Sequence, residues 1–179
     1  MSILTKIFTY KQEEVERRKQ LFPLKDIKAA CLDSPPPLDI QAALLRTRQE
    51  RKRPALIAEI KRASPSRGLL MKEFDPLRLA SIYQRNGSAA VSILTDEHFF
   101  LGNLDYLRHV RDAFPHLPLL QKDFIFDPYQ VYEARAAGAD ALLLIAAQLN
   151  FNKLRTLFNL SQALGMAPLV EVHNSVELK

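Results

Sequence analysis

The sequence is poor in the residues that build disulfides, metal clusters and membrane spans. Cys31 is the only cysteine, which excludes an internal disulfide and any cysteine-based metal cluster. The four histidines show no H-x-H or H-E-x-x-H spacing, so we expect no metal site. No apolar run reaches the roughly 18 residues of a membrane span, and the N-terminal segment lacks the cleavage site of a signal peptide. We therefore expect a cytoplasmic protein that does not bind membranes.

The net charge of +5 arises in the N-terminal part of the chain. Residues 1–53 hold 12 Lys and Arg against 7 Asp and Glu, whereas residues 54–179 hold 13 of each kind. The basic residues of the first segment are mixed with glutamates, as on a solvated helix face, and no Gly/aromatic RNA-binding pattern accompanies them. This placement disfavours a basic module that binds nucleic acid.

Residues 1–53 are predicted to form an N-terminal helical extension. An apolar stripe begins with Ile3, Leu4, Ile7 and Phe8. The prolines of SPPPLD at 34–39 interrupt the chain, and a second helix is expected over about 38–52. The sequence thus predicts two helices separated by a proline linker.

From residue 54 onward, short apolar runs alternate with capped helices. The runs are LIAEIK (56–61), AAVSIL (89–94), PLLQKD (118–123), DALLLI (140–145) and PLVEV (168–172). Between them, N-cap residues such as Asp75 and Asp127, each followed by proline, and closing glycines such as Gly87 mark the helices. Such alternation is typical of an α/β domain with parallel strands.

Two architectures fit five parallel strands. An open flavodoxin-like sheet suits about 125 residues, whereas a (β/α)8 TIM barrel needs on the order of 250. Asn174 and Glu177 have the N-cap and N3 spacing of a further helix just before the sequence ends. We interpret 54–179 as an incomplete (β/α)8 barrel domain with about the first five βα units. We expect a monomer or a weak homo-oligomer, with self-association possible through the open edges of the barrel.

Charged side chains are expected to meet at one rim of this sheet. Glu59 and Lys61 lie two positions apart on one face of the first strand, while Lys122 and Glu171 end the third and fifth runs. The carboxyl ends of parallel strands share an edge, where barrels build active sites. A lysine with a lowered pKa and a glutamate with a raised pKa could transfer protons there. Taken singly, each charge also fits a structural ion pair or a strand-end cap.

Residues after the strands offer binding groups. The segment from Ser64 to Gly68 is predicted to be a loop whose hydroxyls and backbone N–H groups face an anion. Phe99, Phe100 and Phe124 follow strand ends and are placed to form an apolar wall for an aromatic ligand. Ordinary packing beneath the loops is the alternative for each phenylalanine.

The segment AEIKRASPSRG closely resembles the signature of indole-3-glycerol phosphate synthase, a (β/α)8-barrel enzyme of tryptophan biosynthesis. The similarity continues in order through VSILTDEHFFLGNLDYL, PLLQKDFIFDPYQ, GADALLLI and GMAPLVEVHN. The N-terminal helices also resemble that family's extension. The resemblance implies a carboxy-lyase without a cofactor that acts on a small phosphorylated substrate. Its reaction closes the ring of 1-(2-carboxyphenylamino)-1-deoxyribulose 5-phosphate, with loss of carbon dioxide and water.

The resemblance also implies a role for each site residue. Lys122 would be the general acid of ring closure and Glu171 the base of the later dehydration. Glu59 would assist the proton transfers, and Lys61 would hold the anionic substrate or act in dehydration. Residues expected to contact the substrate are Ser64 at the phosphate and Phe100, Phe124 and Leu143 at the anthranilate ring.

The family's remaining strands and phosphate cup are absent from these 179 residues, so we expect little activity from them alone. A non-catalytic half-barrel that acts only as a folding or association unit is the main alternative. Phosphoribosylanthranilate isomerase is disfavoured, because it uses a cysteine–aspartate pair and Cys31 lies in the N-terminal extension.

Overall fold

Three helices precede the first strand in the part of the chain that the computed structural model describes, residues 3–175 and 177–178. They are α1 (Ile3–Leu21), α2 (Leu24–Asp33) and α3 (Ile40–Arg51). The extension is helical, as predicted, but the prediction of two helices is wrong, because three are present. Pro23 adopts an extended conformation (φ −57°, ψ 143°) and has no N–H to continue α1, so a separate helix begins after it.

Within these residues, five parallel strands form one sheet, and a two-stranded hairpin follows the first of them. The strands are β1 (Ile57–Ile60), the hairpin strands β2 (Ala63–Ser64) and β3 (Gly68–Leu69), then β4 (Ala90–Leu94), β5 (Leu119–Lys122), β6 (Ala141–Ile145) and β7 (Ala167–Glu171). The order in the sheet is β1-β4-β5-β6-β7. Because this order never reverses, successive right-handed crossovers place their helices on one face, as in a barrel. This confirms an α/β fold with the first part of a (β/α)8 barrel.

Most of the crossover helices begin where the caps predict. They are α4 (Pro76–Arg85), α5 (Glu97–Phe100), α6 (Leu104–Ala113), α7 (Pro128–Ala136) and α8 (Phe151–Ala163), with a 3₁₀ turn at Ala146–Gln148. Side chains of Asp75, Asn103, Asp127 and Asn150 accept hydrogen bonds from first-turn N–H groups. The short helix α5 was not predicted. Among the described residues, no helix has the length and apolar character needed to cross a bilayer.

The inner face of the sheet is divided along the strands. Near their amino ends, Ala90, Leu120 and Ala141 pack against Ile40 of α3, which covers this end of the sheet. Near their carboxyl ends, the same face carries charged side chains. The outer face buries residues such as Ile93 against the crossover helices.

The N-terminal helices are anchored on α7. The Tyr129 hydroxyl donates a hydrogen bond to the Phe22 carbonyl at 2.9 Å, and Arg135 donates to the Pro35 carbonyl at 2.7 Å. Helices α1 and α2 both contact α7. The first turn of α1 lies at the carboxyl ends of the strands, because Leu4 lines a cavity there.

Candidate active site

A cavity of about 210 Å³ opens at the carboxyl ends of all five strands of the parallel sheet. Most of the predicted site residues line it, because parallel strands bring their carboxyl ends to one edge. These residues are Glu59, Lys61, Phe100, Lys122, Phe124, Leu143 and Glu171. The predicted convergence of acid–base and aromatic side chains is thus present in the structure.

Ser64 is the predicted site residue that lies outside this cavity lining. It ends β2 and pairs with Gly68 of β3, and the Arg67 amide donates to its carbonyl at 3.3 Å. The segment from Ser64 to Gly68 is therefore the turn of a hairpin and not an open loop. A contact between Ser64 and a phosphate stays a prediction.

Glu59 holds Lys61 and Lys122 together. One carboxylate oxygen accepts a hydrogen bond from Lys122 Nζ at 2.8 Å, and the other pairs with Lys61 Nζ. Burial acts to raise the pKa of Glu59, but the hydrogen bonds and charges of the lysines outweigh burial and hold this pKa below its usual value. The expectation that a glutamate here has a raised pKa is wrong for Glu59. It stays an anion and orients the lysine ammonium groups.

Glu171 lies at the end of β7, with His173 beside it. Nε2 of His173 is 3.1 Å from Oε1 of Glu171, and both residues line the cavity. Sequence reasoning missed His173, although its position two residues after Glu171 is the spacing of one strand face. The Glu177 amide donates to Asn174 Oδ1 at 3.0 Å, so the predicted cap contact is present.

An apolar wall faces these charges. The rings of Phe100 and Phe124 lie 5.8 Å apart between centroids at an interplanar angle of 39°. Leu143 and Leu4 also line the cavity. Phe99, proposed for the same wall, instead packs its ring against Tyr10 and His98. The wall suits a flat aromatic group.

A buried ionic cluster lies beside this wall. The fully buried Lys11 places Nζ 2.8 Å from Asp96 Oδ2, 3.1 Å from Asp123 Oδ1 and 3.0 Å from Glu14 Oε2. Burial favours a lower pKa for Lys11, but these carboxylates outweigh burial and raise it. Burial likewise acts to raise the pKa of Asp123, yet Lys11 and the Thr95 hydroxyl hold it below its ordinary value. Lys11 and Asp123 are therefore both charged at neutral pH.

Sequence reasoning also missed Lys11, although a signal exists. Lys11 lies four residues after Ile7 and four before Val15, both of which are buried on α1. This spacing places it on the buried stripe of the helix. The stripe therefore continues through a charged residue.

The site's groups suit proton transfer next to an anion. Lys61 and Lys122 supply ammonium donors, and Glu171 supplies a carboxylate acceptor on another strand. Within the described part of the chain, no group of His, Cys, Asp and Glu side chains is arranged to hold a metal ion. The arrangement can protonate one atom of a bound molecule and deprotonate another.

Comparisons with known proteins agree with one another. The family model for indole-3-glycerol phosphate synthase matches residues 4–179. Indole-3-glycerol phosphate synthases of Dehalococcoides mccartyi strain CBDB1 and Roseiflexus sp. strain RS-1 are 51% and 52% identical over 99% of this chain. The match covers 68% and 66% of those proteins, so the chain spans about two thirds of their length. The chloroplastic indole-3-glycerol phosphate synthase of Arabidopsis thaliana is 45% identical over 99% of this chain and 44% of its own.

Proposed function

Because the chain belongs to the indole-3-glycerol phosphate synthase family, we propose that its cavity serves that family's reaction in tryptophan biosynthesis. The substrate would be 1-(2-carboxyphenylamino)-1-deoxyribulose 5-phosphate and the product indole-3-glycerol phosphate. The observation that carries the proposal is the convergence of Glu59, Lys61, Lys122 and Glu171 on a cavity with an aromatic wall.

Substrate binding follows from charge and shape. The substrate carries a carboxylate and a phosphate, so the ammonium groups of Lys61 and Lys122 attract it. Its benzene ring would lie against Phe100 and Phe124, where burial of the ring is favourable. Because Lys122 lines the same cavity as these rings, this pose would bring the ring carbon that bears the carboxylate close to Lys122.

In ring closure, Lys122 donates a proton to the ribulose carbonyl oxygen. The ring carbon that bears the carboxylate simultaneously forms a bond to the carbonyl carbon. The bond to the carboxylate carbon then breaks, its electron pair restores the aromatic ring, and carbon dioxide leaves. Glu59 accepts a hydrogen bond from Lys122 at 2.8 Å and so orients the proton donor.

In dehydration, Glu171 removes a proton from the carbon next to the nitrogen. The new hydroxyl group leaves with a proton from Lys61, so one molecule of water departs and the indole double bond forms. The steps move protons between side chains and substrate, and they require no cofactor. A cytoplasmic location and a monomeric or weakly associated state stay predictions.

The test is turnover of the carboxyphenylamino-deoxyribulose phosphate, followed by indole fluorescence at a protein concentration high enough to detect the low turnover expected of these 179 residues. We expect Lys122→Met to lower kcat by about 10³-fold, the range for loss of a general acid. A substrate analogue with its carbonyl reduced to an alcohol should still bind the variant. Lys25→Met, which changes an exposed lysine of α2, is the matched control.

Two results would contradict the proposal. One is turnover by Lys122→Met within about threefold of the parent, because a lost general acid cannot leave kcat so close to normal. The other is a folded parent chain that neither turns over the substrate nor binds the analogue. That outcome would favour the non-catalytic half-barrel.

A further inference from the structure

We propose that Lys11 is a positioning residue for this reaction, because its ammonium joins helix α1 to the two strand ends that carry Lys122 and the aromatic wall. The inference rests on the proposed function and adds to it a residue outside the barrel strands. Lys11 does not line the cavity, so it would act through its carboxylate partners.

The first partner, Asp96, fixes one side of the aromatic wall. Asp96 follows β4, and its Oδ1 accepts hydrogen bonds from the amides of Phe99 at 2.7 Å and Phe100 at 3.2 Å. The same carboxylate pairs with Lys11 through Oδ2. The ammonium therefore holds the cap of α5, the helix that places Phe100 in the cavity.

The second partner, Asp123, lies between two cavity residues. Lys122 precedes it and Phe124 follows it in the chain, and all three line the cavity. Its Oδ1 accepts from the Phe124 amide at 2.8 Å, and its Oδ2 accepts from the Thr95 hydroxyl at 2.7 Å. A shift of this carboxylate would consequently move the backbone of the proposed general acid.

Helix α1 itself reaches the cavity. Leu4 lines it, and the Phe8 ring packs edge-on against Phe124 at 5.6 Å between centroids. Lys11 lies on the same helix face, about two turns after Leu4. One rigid helix thus carries both the ionic tether and part of the cavity wall.

Burial of α1 alone does not require a lysine here. Ile7 and Val15 already bury the same stripe, and apolar residues in place of both partners of a buried ion pair often leave stability unchanged or improved. Burying a charged lysine among carboxylates is costly unless each group is paired. The arrangement therefore points to orientation of the two strand ends.

The experiment compares two lysines that both tether α1 to the barrel. Lys11→Met removes the tether beside the cavity, whereas Lys19→Met removes the 2.9 Å pair with Asp127, at the start of α7. A double variant, Lys11→Met with Asp96→Asn, relieves one unpaired carboxylate and keeps an oxygen that can cap α5. Each variant is assayed in the full chain at a temperature where its unfolding curve shows it fully folded.

We expect kcat to fall at least about tenfold in Lys11→Met and in the double variant, while KM rises less than about threefold. Lys19→Met should keep kcat within about twofold of the parent. A role in stability alone would leave the kcat of folded protein unchanged. Where Lys11→Met does not fold, the double variant supplies the same comparison.

Two outcomes overturn the inference alone. One is an unchanged kcat in the folded Lys11 variants. The other is an equal loss of kcat in Lys19→Met, because any contact that holds α1 on the barrel would then have the same effect. A parent chain without turnover or analogue binding overturns the proposed function as well, and it is recognised before any Lys11 variant is measured.

Discussion

Replacement of Glu133 by glutamine should raise the free energy of unfolding, relative to the parent, more at pH 8 than at pH 5. Glu133 lies on α7, is 5% exposed, and has Arg18 of α1 at 3.3 Å. Burial is the largest influence on its pKa and raises it, Arg18 offsets burial only in part, and the Asp123 charge raises it further. The resulting pKa of Glu133 is about 7, against 4.5 for an ordinary glutamate.

The size of the effect follows from these two pKa values. Between pH 4.5 and 7 the native state holds a proton that the unfolded chain has released, so the free energy of unfolding falls as pH rises. One pKa unit corresponds to about 1.4 kcal/mol, so the parent loses about 2.5 kcal/mol from pH 5 to pH 8 through this group. Glutamine has no proton to release and escapes the loss.

The assay is urea unfolding of the parent and of Glu133→Gln at both pH values. The free-energy difference between variant and parent should be about 2.5 kcal/mol larger at pH 8 than at pH 5. Glu13→Gln, on the exposed face of α1, controls for the loss of one negative charge. A difference that is the same at both pH values, within about 0.5 kcal/mol, would refute the argument that burial holds the proton on Glu133.

Two further substitutions test a close backbone approach and an untested contact. Gly102→Ala should lower the free energy of unfolding by about 3 kcal/mol, because a Cβ there would lie 2.3 Å from the Leu94 carbonyl oxygen. Urea unfolding checks this, and a loss below about 0.5 kcal/mol would contradict the steric argument. Ser64→Ala should raise KM at least about threefold with kcat unchanged, if the hydroxyl binds the substrate phosphate. An unchanged KM in steady-state kinetics would remove Ser64 from the site.

Local signals were sufficient to predict the five strands of the parallel sheet and most crossover helices. Asp75 and Asp127, each followed by proline, define helix starts because they cap the first turn and preset its backbone. Helix α2 carries no such signal: Pro23 precedes it and makes no side-chain cap. Its packing against α7 supports it, and a tertiary contact of this kind leaves little trace in local sequence.

The membership of the site could be predicted better than its contacts. Strand-end positions were enough to group Glu59, Lys122 and Glu171, because parallel topology decides where strand ends meet. That Glu59 pairs with two lysines depends on side-chain reach across the sheet, which residue spacing does not define. The burial of Lys11 was missed because its partners, Asp96 and Asp123, are far away in the chain.

The apolar layer beneath α3 lies at the opposite end of the strands from the cavity, so the residues that stabilise the fold there can be engineered apart from those proposed for the reaction. Ile40 packs there with Ala90 and Leu120, at the strand ends opposite Lys122 and Glu171. Effects of substitutions at distant sites without shared partners are usually additive. Leu44 packs against the same layer, so a library that varies Ile40 and Leu44 can be searched first for a higher melting temperature. Variants of the apolar wall, such as those at Phe100 and Phe124, could then be made for altered substrate preference in a protein stable enough to tolerate the destabilisation they cause.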